Sequence, residues 1–172
     1  MLSLQFKSLI NIAIKSNMNL RMHKCRDKEL ADIMRLIENS FSYMEGRIDP
    51  PSSMNRLTVS EIAENCCSGE VWSFGNPITA CMFLKPKNDA LYVGKLAVDK
   101  SYRGRGFARK MIELAGERAK VHGKSYLELF TRIELTENQL AFGKLGFETI
   151  AEASHPGYEK TTYLVMRKLV GL

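Results

Sequence analysis

The stretch from Leu91 to Ala108 constrains this chain more than any other. An apolar run, Leu91 to Val98, leads within a few residues into Arg103-Gly104-Arg105-Gly106-Phe107-Ala108. Beyond that corner, Phe107, Ala108, Met111, Ile112, Ala115 and Ala119 recur at three- and four-residue steps. That spacing predicts a helix from about Gly104 to His122, with Gly123 placed to end it. A strand, a glycine corner and a helix start in this order make an anion site. Small residues let backbone N–H groups approach a diphosphate, and the helix start presents unpaired donors and partial positive charge. Arg103, Arg105 and Arg109 add cations there.

Three phosphate-binding templates compete for the corner. The dinucleotide fingerprint G-x-G-x-x-G fits at Gly104 and Gly106, but its third glycine position holds Arg109, and Lys124 stands where an acid is wanted about twenty residues on. The P-loop pattern finds its tail in Gly123-Lys124-Ser125, yet its first glycine position is Arg118 and the tail ends a helix. The third template, R-x-x-G-x-[GA], matches as Arg103, Gly106 and Ala108.

Around this corner the remaining elements fall in order. Asn19 to Cys25 reads as a first strand. A helix with Leu30, Ile33, Met34, Ile37, Phe41 and Met44 on one face follows, with Asp27 as a candidate cap. Pro50-Pro51 breaks it into a loop. Thr58 and Glu61 form a capping box for a short helix to about Asn65, and Thr136 with Gln139 suggests a second box for a helix stopping at Gly146. Strands are expected at Val71–Phe74, Ile78–Leu84, Leu91–Val98 and Tyr126–Thr131. A final hairpin pairs Phe147–Ala153 with Thr161–Lys168. The order β-α-α-β-β-β-α-β-α-β-β predicts an α/β fold, one mixed sheet with helices on its faces.

The chain has 172 residues, enough for one compact domain, and 45% apolar with 26% charged residues is globular composition. We read residues 20–172 as that domain and residues 1–19 as an N-terminal extension of unassigned role. The extension lacks the long apolar core of a secretory signal and the arginines of an organelle-targeting peptide. No run of eighteen apolar residues suggests a membrane span. Cys25, Cys66, Cys67 and Cys81 form no C-x-x-C pair and no zinc-ligand spacing, so no metal is expected. Cys66-Cys67 reads as small residues ending a helix in a reduced, cytoplasmic setting. The net charge of +6 is concentrated: Ser101 to Ser125 carries seven basic residues against two acids. That favours an anionic partner. Nucleic acid is the weaker choice, because aromatic interleaving and a helix-turn-helix pattern are absent.

The run Lys95-Leu96-Ala97-Val98-Asp99 followed by Tyr102 to Ala108, with Lys144-Leu145-Gly146-Phe147 later, resembles the GNAT superfamily of N-acetyltransferases. The resemblance implies a mostly antiparallel, splayed sheet of about seven strands flanked by about four helices. It implies acetyl-CoA as co-substrate, its diphosphate held by Arg103, Gly104, Arg105, Gly106, Phe107 and Ala108, and its pantetheine arm paired with the strand at Leu96, Ala97 and Val98. Asn138 and Phe142 fall in the later coenzyme-binding segment. It further implies that a backbone N–H of the strand polarises the thioester carbonyl.

Two departures stand out. Where many relatives carry a tyrosine that protonates the departing thiolate, five residues before the Gly-Phe phenylalanine, this chain has Phe142. A proton acceptor for the attacking amine is also not evident; Glu128, His155 and Tyr158 are the candidates. Acceptor recognition is expected from the loop carrying Tyr43, Glu45, Arg47 and Asp49, where acids suit an amine and the arginine a carboxylate. The expected reaction is transfer of an acetyl group to a primary amine, small-molecule or protein. The alternative is a non-catalytic acyl-CoA-binding sensor. The final hairpin allows a homodimer.

Overall fold

The computed structural model describes residues 19–171. The N-terminal extension lies outside the described residues except for Asn19, whose carbonyl accepts from Gly75 N at 3.0 Å.

Among the described residues seven strands form one sheet in the order β1-β2-β3-β4-β5-β7-β6. They are β1 (Leu20–Met22), β2 (Glu70–Phe74), β3 (Ala80–Pro86), β4 (Ala90–Val98), β5 (Tyr126–Arg132), β6 (Glu148–Ala153) and β7 (Tyr163–Leu169). Every neighbouring pair is antiparallel except β4 with β5. Among the described residues four α-helices cover it: α1 (Leu30–Phe41), α2 (Val59–Ser68), α3 (Phe107–Val121) and α4 (Thr136–Lys144).

Alternation along β3 shows how the sheet feeds two cores. Ala80, Met82 and Leu84 turn to one face, where Met111, Ile112, Ala115 and Ala119 of α3 meet them with Leu127, Leu129 and Phe147. Cys81 and Phe83 turn to the other, against Leu30, Ile33, Leu36 and Ile37 of α1 and Ile62 of α2. Burying a side chain of this kind contributes roughly 1.5–3 kcal/mol, so both layers hold the sheet from opposite sides.

Several local expectations are corrected. The first strand is three residues, not seven. Asp27 does not cap α1; its Oδ2 accepts from Lys24 N at 3.0 Å and closes the preceding turn, and α1 starts without a side-chain cap. Nor do Thr136 and Gln139 form a capping box. Leu135 holds the cap position without a side-chain bond, and the Gln139 carboxamide donates instead to the carbonyls of Arg132 and Ile133. The Thr58–Glu61 box is formed in both directions.

The cysteine reading is corrected as well. Cys25 and Cys67 form a disulfide with Cα atoms 6.1 Å apart, tying the turn after β1 to the end of α2, while Cys66 and Cys81 are free. The two halves lie 42 residues apart in sequence, a separation that no short motif reveals. Among the described residues no helix is long and apolar enough to cross a membrane.

Candidate functional site

Pairing between β4 and β5 stops almost as soon as it starts. Only Ala90–Tyr126, Leu91–Leu127 and Tyr92–Glu128 face each other in register. Beyond them β4 continues against β3 to Val98, and β5 continues against β7 to Arg132. The two strands therefore diverge, and backbone groups on their facing edges lose their sheet partners. A bulge sharpens the divergence. Cys81 pairs with Ala97 and Phe83 with Gly94, so Lys95 and Leu96 together oppose Met82. Lys95 sits at φ 49°, in the left-handed region that a side chain adopts only under local constraint.

The divergence opens a cleft of about 670 Å³ between α1, β4, the glycine corner, β5 and α4. Of the residues expected to hold a coenzyme, Leu96, Ala97, Val98, Arg103, Gly104, Gly106, Phe107, Ala108, Asn138 and Phe142 line it. Gly104 and Gly106 have φ of +75° and +82°, and a Cβ on either would project into open space. The corner thus needs glycine for its backbone shape, and it presents bare peptide to whatever occupies that space. Gly106 is the residue immediately before α3, which places the helix's unpaired N–H groups beside the corner.

The three arginines play different parts. Arg103 donates to the carbonyls of Val98 (3.2 Å) and Ser40 (2.9 Å), fastening the end of β4 to the end of α1. Its guanidinium is therefore engaged with the protein. Arg105 lies over the Tyr102 ring at 5.2 Å and is not among the cleft-lining residues. Arg109 lines the cleft. Asn138 is bonded through its amide nitrogen to the Tyr43 hydroxyl at 2.9 Å, and Phe142 packs edge-on against Phe147.

A strap from Ser42 to Leu57 crosses the cleft mouth from α1. Arg47 pairs with Glu137 at 2.7 Å, Asp49 N donates to Glu134 at 3.0 Å, and Arg132 donates to the Pro50 carbonyl at 2.7 Å. The Tyr158 hydroxyl donates to Asp49 Oδ1 at 2.7 Å, and Lys95 Nζ donates to Ser53 Oγ at 3.0 Å. Burial holds the Lys95 ammonium below the ordinary lysine range. Of the four residues expected to read the acceptor, Tyr43 lines the cleft. Arg47 and Asp49 are engaged in anchoring the strap, and Glu45 is exposed.

Of the candidate proton acceptors, His155 and Tyr158 lie together, with ring centroids 6.5 Å apart, and none of the three lines the cleft. Glu128 is 6% exposed, with one oxygen 3.0 Å from Lys87 Nζ and the other 2.8 Å from Arg167. His155 bonds through Nδ1 to Thr162 Oγ1 at 2.6 Å. Burial, aided by the Arg132 charge, holds its imidazole below the ordinary 6.5. Tyr158 has its phenol pushed up, chiefly by the bond to Asp49.

Sequence reasoning missed cleft residues with no motif of their own: Ser40, Tyr92 and Thr131. Tyr92 is mostly buried and its phenol is pushed up to about 12, first by burial and then by Glu128. Only the alternation of β4 and β5 could have found Tyr92 and Thr131.

No curated protein sequence matches the chain. Solved structures share its fold. An acetyltransferase of the GNAT family from Staphylococcus aureus Mu50 superposes with a TM-score of 0.68 at 18% identity, covering 88% of this chain and 99% of that one. A GNAT acetyltransferase from Elizabethkingia anophelis with acetyl-CoA bound gives 0.62 at 18%, over 90% and 99%. A chimeric spermidine N-acetyltransferase from Vibrio cholerae gives 0.67 at 15%, over 90% and 96%. The acetyltransferase (GNAT) domain profile matches residues 64–149, from within α2 to the start of β6. That half of the sequence contains the diverging strands, the glycine corner and α4, and the chain belongs to the GNAT acetyltransferase family.

Proposed function

We propose that the protein transfers the acetyl group of acetyl-CoA to a primary amine by direct attack. The observation that carries this reading is the open seam between β4 and β5 ending on the glycine corner of α3. The diphosphate sits on the N–H groups from Gly104 to Ala108. The pantetheine arm runs along Leu96, Ala97 and Val98, completing the unpaired strand edge. Arg109 and Arg105 supply positive charge nearby, and Arg103 holds the corner in place.

In the reaction the amine nitrogen attacks the thioester carbon, the C–N bond forms, the C–S bond breaks and the sulfur leaves as thiolate. A β4 backbone N–H directed at the carbonyl oxygen stabilises the charge that develops there. Phe142 has no proton to give, so the thiolate takes its proton from water. A general acid is typically worth ~10²–10⁴ in rate, which sets the scale of what Phe142 forgoes.

The attacking nitrogen must lose a proton. His155, whose imidazole burial holds below its ordinary value, takes it through a chain of waters, since it stands two rings beyond Phe130; both oxygens of Glu128 are already held by cations. His155→Gln would then remove the acidic limb of the kcat/KM profile, while an unchanged profile would dismiss the assignment. The strap with Tyr43, Glu45, Arg47 and Asp49 shapes acceptor choice. Replacing the last three together should alter acceptor kinetics.

Spermidine is named for one structural neighbour, and a cationic amine is the acceptor class we favour here. A cytoplasmic location loses its cysteine argument with the Cys25–Cys67 bond; we keep it as the compartment that supplies acetyl-CoA. Edge strand β6, exposed along most of its length, supports pairing of two copies, with no part for nucleic acid, membrane or metal.

Calorimetry with acetyl-CoA followed by a thiol-release assay over an amine panel tests the reading: binding and amine-dependent thiol release are expected. One pair of observations favours a sensor instead, the missing hydroxyl at Phe142 and the neutralised Glu128. Binding without thiol release under every amine would establish that second reading.

A further inference from the structure

On the sheet face opposite α3 and α4, five rings follow one another away from the cleft. Tyr92 and Phe130 have centroids 5.0 Å apart, Phe130 and Tyr163 5.1 Å, Tyr163 and His155 5.0 Å, and His155 and Tyr158 6.5 Å. The first two also line the cleft. Phe130 is 40% exposed, an uncovered aromatic surface at the cleft mouth.

Lys87, from the turn between β3 and β4, lays its ammonium on this surface. Nζ is 4.5 Å from the Tyr92 centroid, 4.4 Å from the Phe130 centroid and 3.0 Å from Glu128 Oε1. Two ring faces and a carboxylate around one nitrogen are the chemistry that recognises a primary ammonium. Behind it Arg167 bridges Glu128 and Asp89. Lys87 and Arg167 balance Glu128 and Asp89, so taking the lysine charge away leaves one net negative charge facing the rings. The Lys87 side chain is 41% exposed, so it can leave the rings without opening either core.

We propose that the Tyr92–Phe130–Glu128 cage is the subsite for the second ammonium of a di- or polycationic acceptor, and that Lys87 is its internal competitor. The proposal rests on the acetyl-transfer reading and specifies its substrate class. An ammonium held on rings and a carboxylate is protonated and has no lone pair, so it cannot be the nitrogen that attacks. An acceptor with one nitrogen must leave the cage to react. With two, one nitrogen stays anchored at Phe130 while the other, deprotonated, reaches the thioester. Lys87 imitates the anchored end and lowers acceptor affinity until it is displaced.

The test is calorimetry on protein saturated with coenzyme A, comparing the wild type, Lys87→Met, and Lys87→Met combined with Phe130→Leu. Lys87→Met should bind 1,5-diaminopentane and n-pentylamine about tenfold more tightly than the wild type, with 1-pentanol unchanged. Adding Phe130→Leu, which keeps an apolar side chain but removes the ring, should reverse most of the gain. In turnover, the diamine alone should gain in kcat/KM, and pentylamine should inhibit competitively. Equal or weaker cation affinity in Lys87→Met, or an equal gain for pentanol, overturns the cage. A wild type that binds no coenzyme A refutes the acetyl-transfer reading itself, a result separable from a coenzyme-binding protein in which Lys87→Met changes nothing.

Discussion

Arg103 Nη2 donates to the Ser40 carbonyl at 2.9 Å, and the same guanidinium reaches Val98 O through Nε at 3.2 Å. One side chain thereby fixes the end of α1, the end of β4 and the first residue of the glycine corner to one another. Its charge faces carbonyls, so in the coenzyme binding proposed above its part is positional.

That assignment separates Arg103 from Arg105. Arg103→Leu leaves two carbonyls without this donor and should lower stability by about 1–3 kcal/mol, with weaker acetyl-CoA binding as a consequence. Arg105→Ala should leave the melting temperature in place and make coenzyme binding weaker and less salt-dependent. Thermal unfolding and calorimetry at two salt concentrations check both; equal melting losses would contradict the division.

Phe142 faces the cleft without a hydroxyl. In the proposed reaction Phe142→Tyr supplies an O–H donor for the departing thiolate, and turnover should rise by about 10²-fold, the lower end of the ~10²–10⁴ that a positioned acid contributes. A steady-state assay at saturating acetyl-CoA decides. An unchanged kcat would make the position purely structural.

Glu70, at the start of β2, is buried and accepts from Arg118, Trp72 and His122. Burial alone would raise its pKa; the three donors outweigh it and hold the carboxyl at about 2 against an ordinary 4.5. Because the folded value is the depressed one, the stabilisation is full above pH 4.5 and fades as pH falls toward 2. Its size is about 3 kcal/mol. Urea unfolding of Glu70→Gln should show a deficit at pH 7 that shrinks toward pH 3; a deficit independent of pH would refute the ionic origin.

The Cys25–Cys67 bond closes a loop of 42 residues. Cys67→Ser should cost about 2–4 kcal/mol, mostly by freeing the unfolded chain. Chemical denaturation with and without reductant measures this. A wild type indifferent to reductant would count against the bond.

What the sequence disclosed follows the physics of near neighbours. The Leu91–Val98 run, the glycine corner and the Thr58–Glu61 box are each set by residues within a few positions of one another, and each is present. Thr136 and Gln139 carried the same signature without forming the box, because Gln139 finds two carbonyls at the end of β5. Such competition is decided in space. The same holds for Glu128, whose partners Lys87 and Arg167 stand 41 and 39 positions away, and for the strap, whose Arg47 meets α4 and whose Asp49 meets the β6–β7 turn. The bulge at Lys95 left no sequence trace beyond a preceding glycine, since it depends on the register of β3.

Three residue pairs join β4 to β5, so the sheet is two plates sharing a short hinge line. Tyr92 belongs to one plate and Phe130 to the other, so a thioester lying in the gap between them completes the wall against which an amine would rest. Substrate addition should therefore be ordered, the thioester entering before the amine.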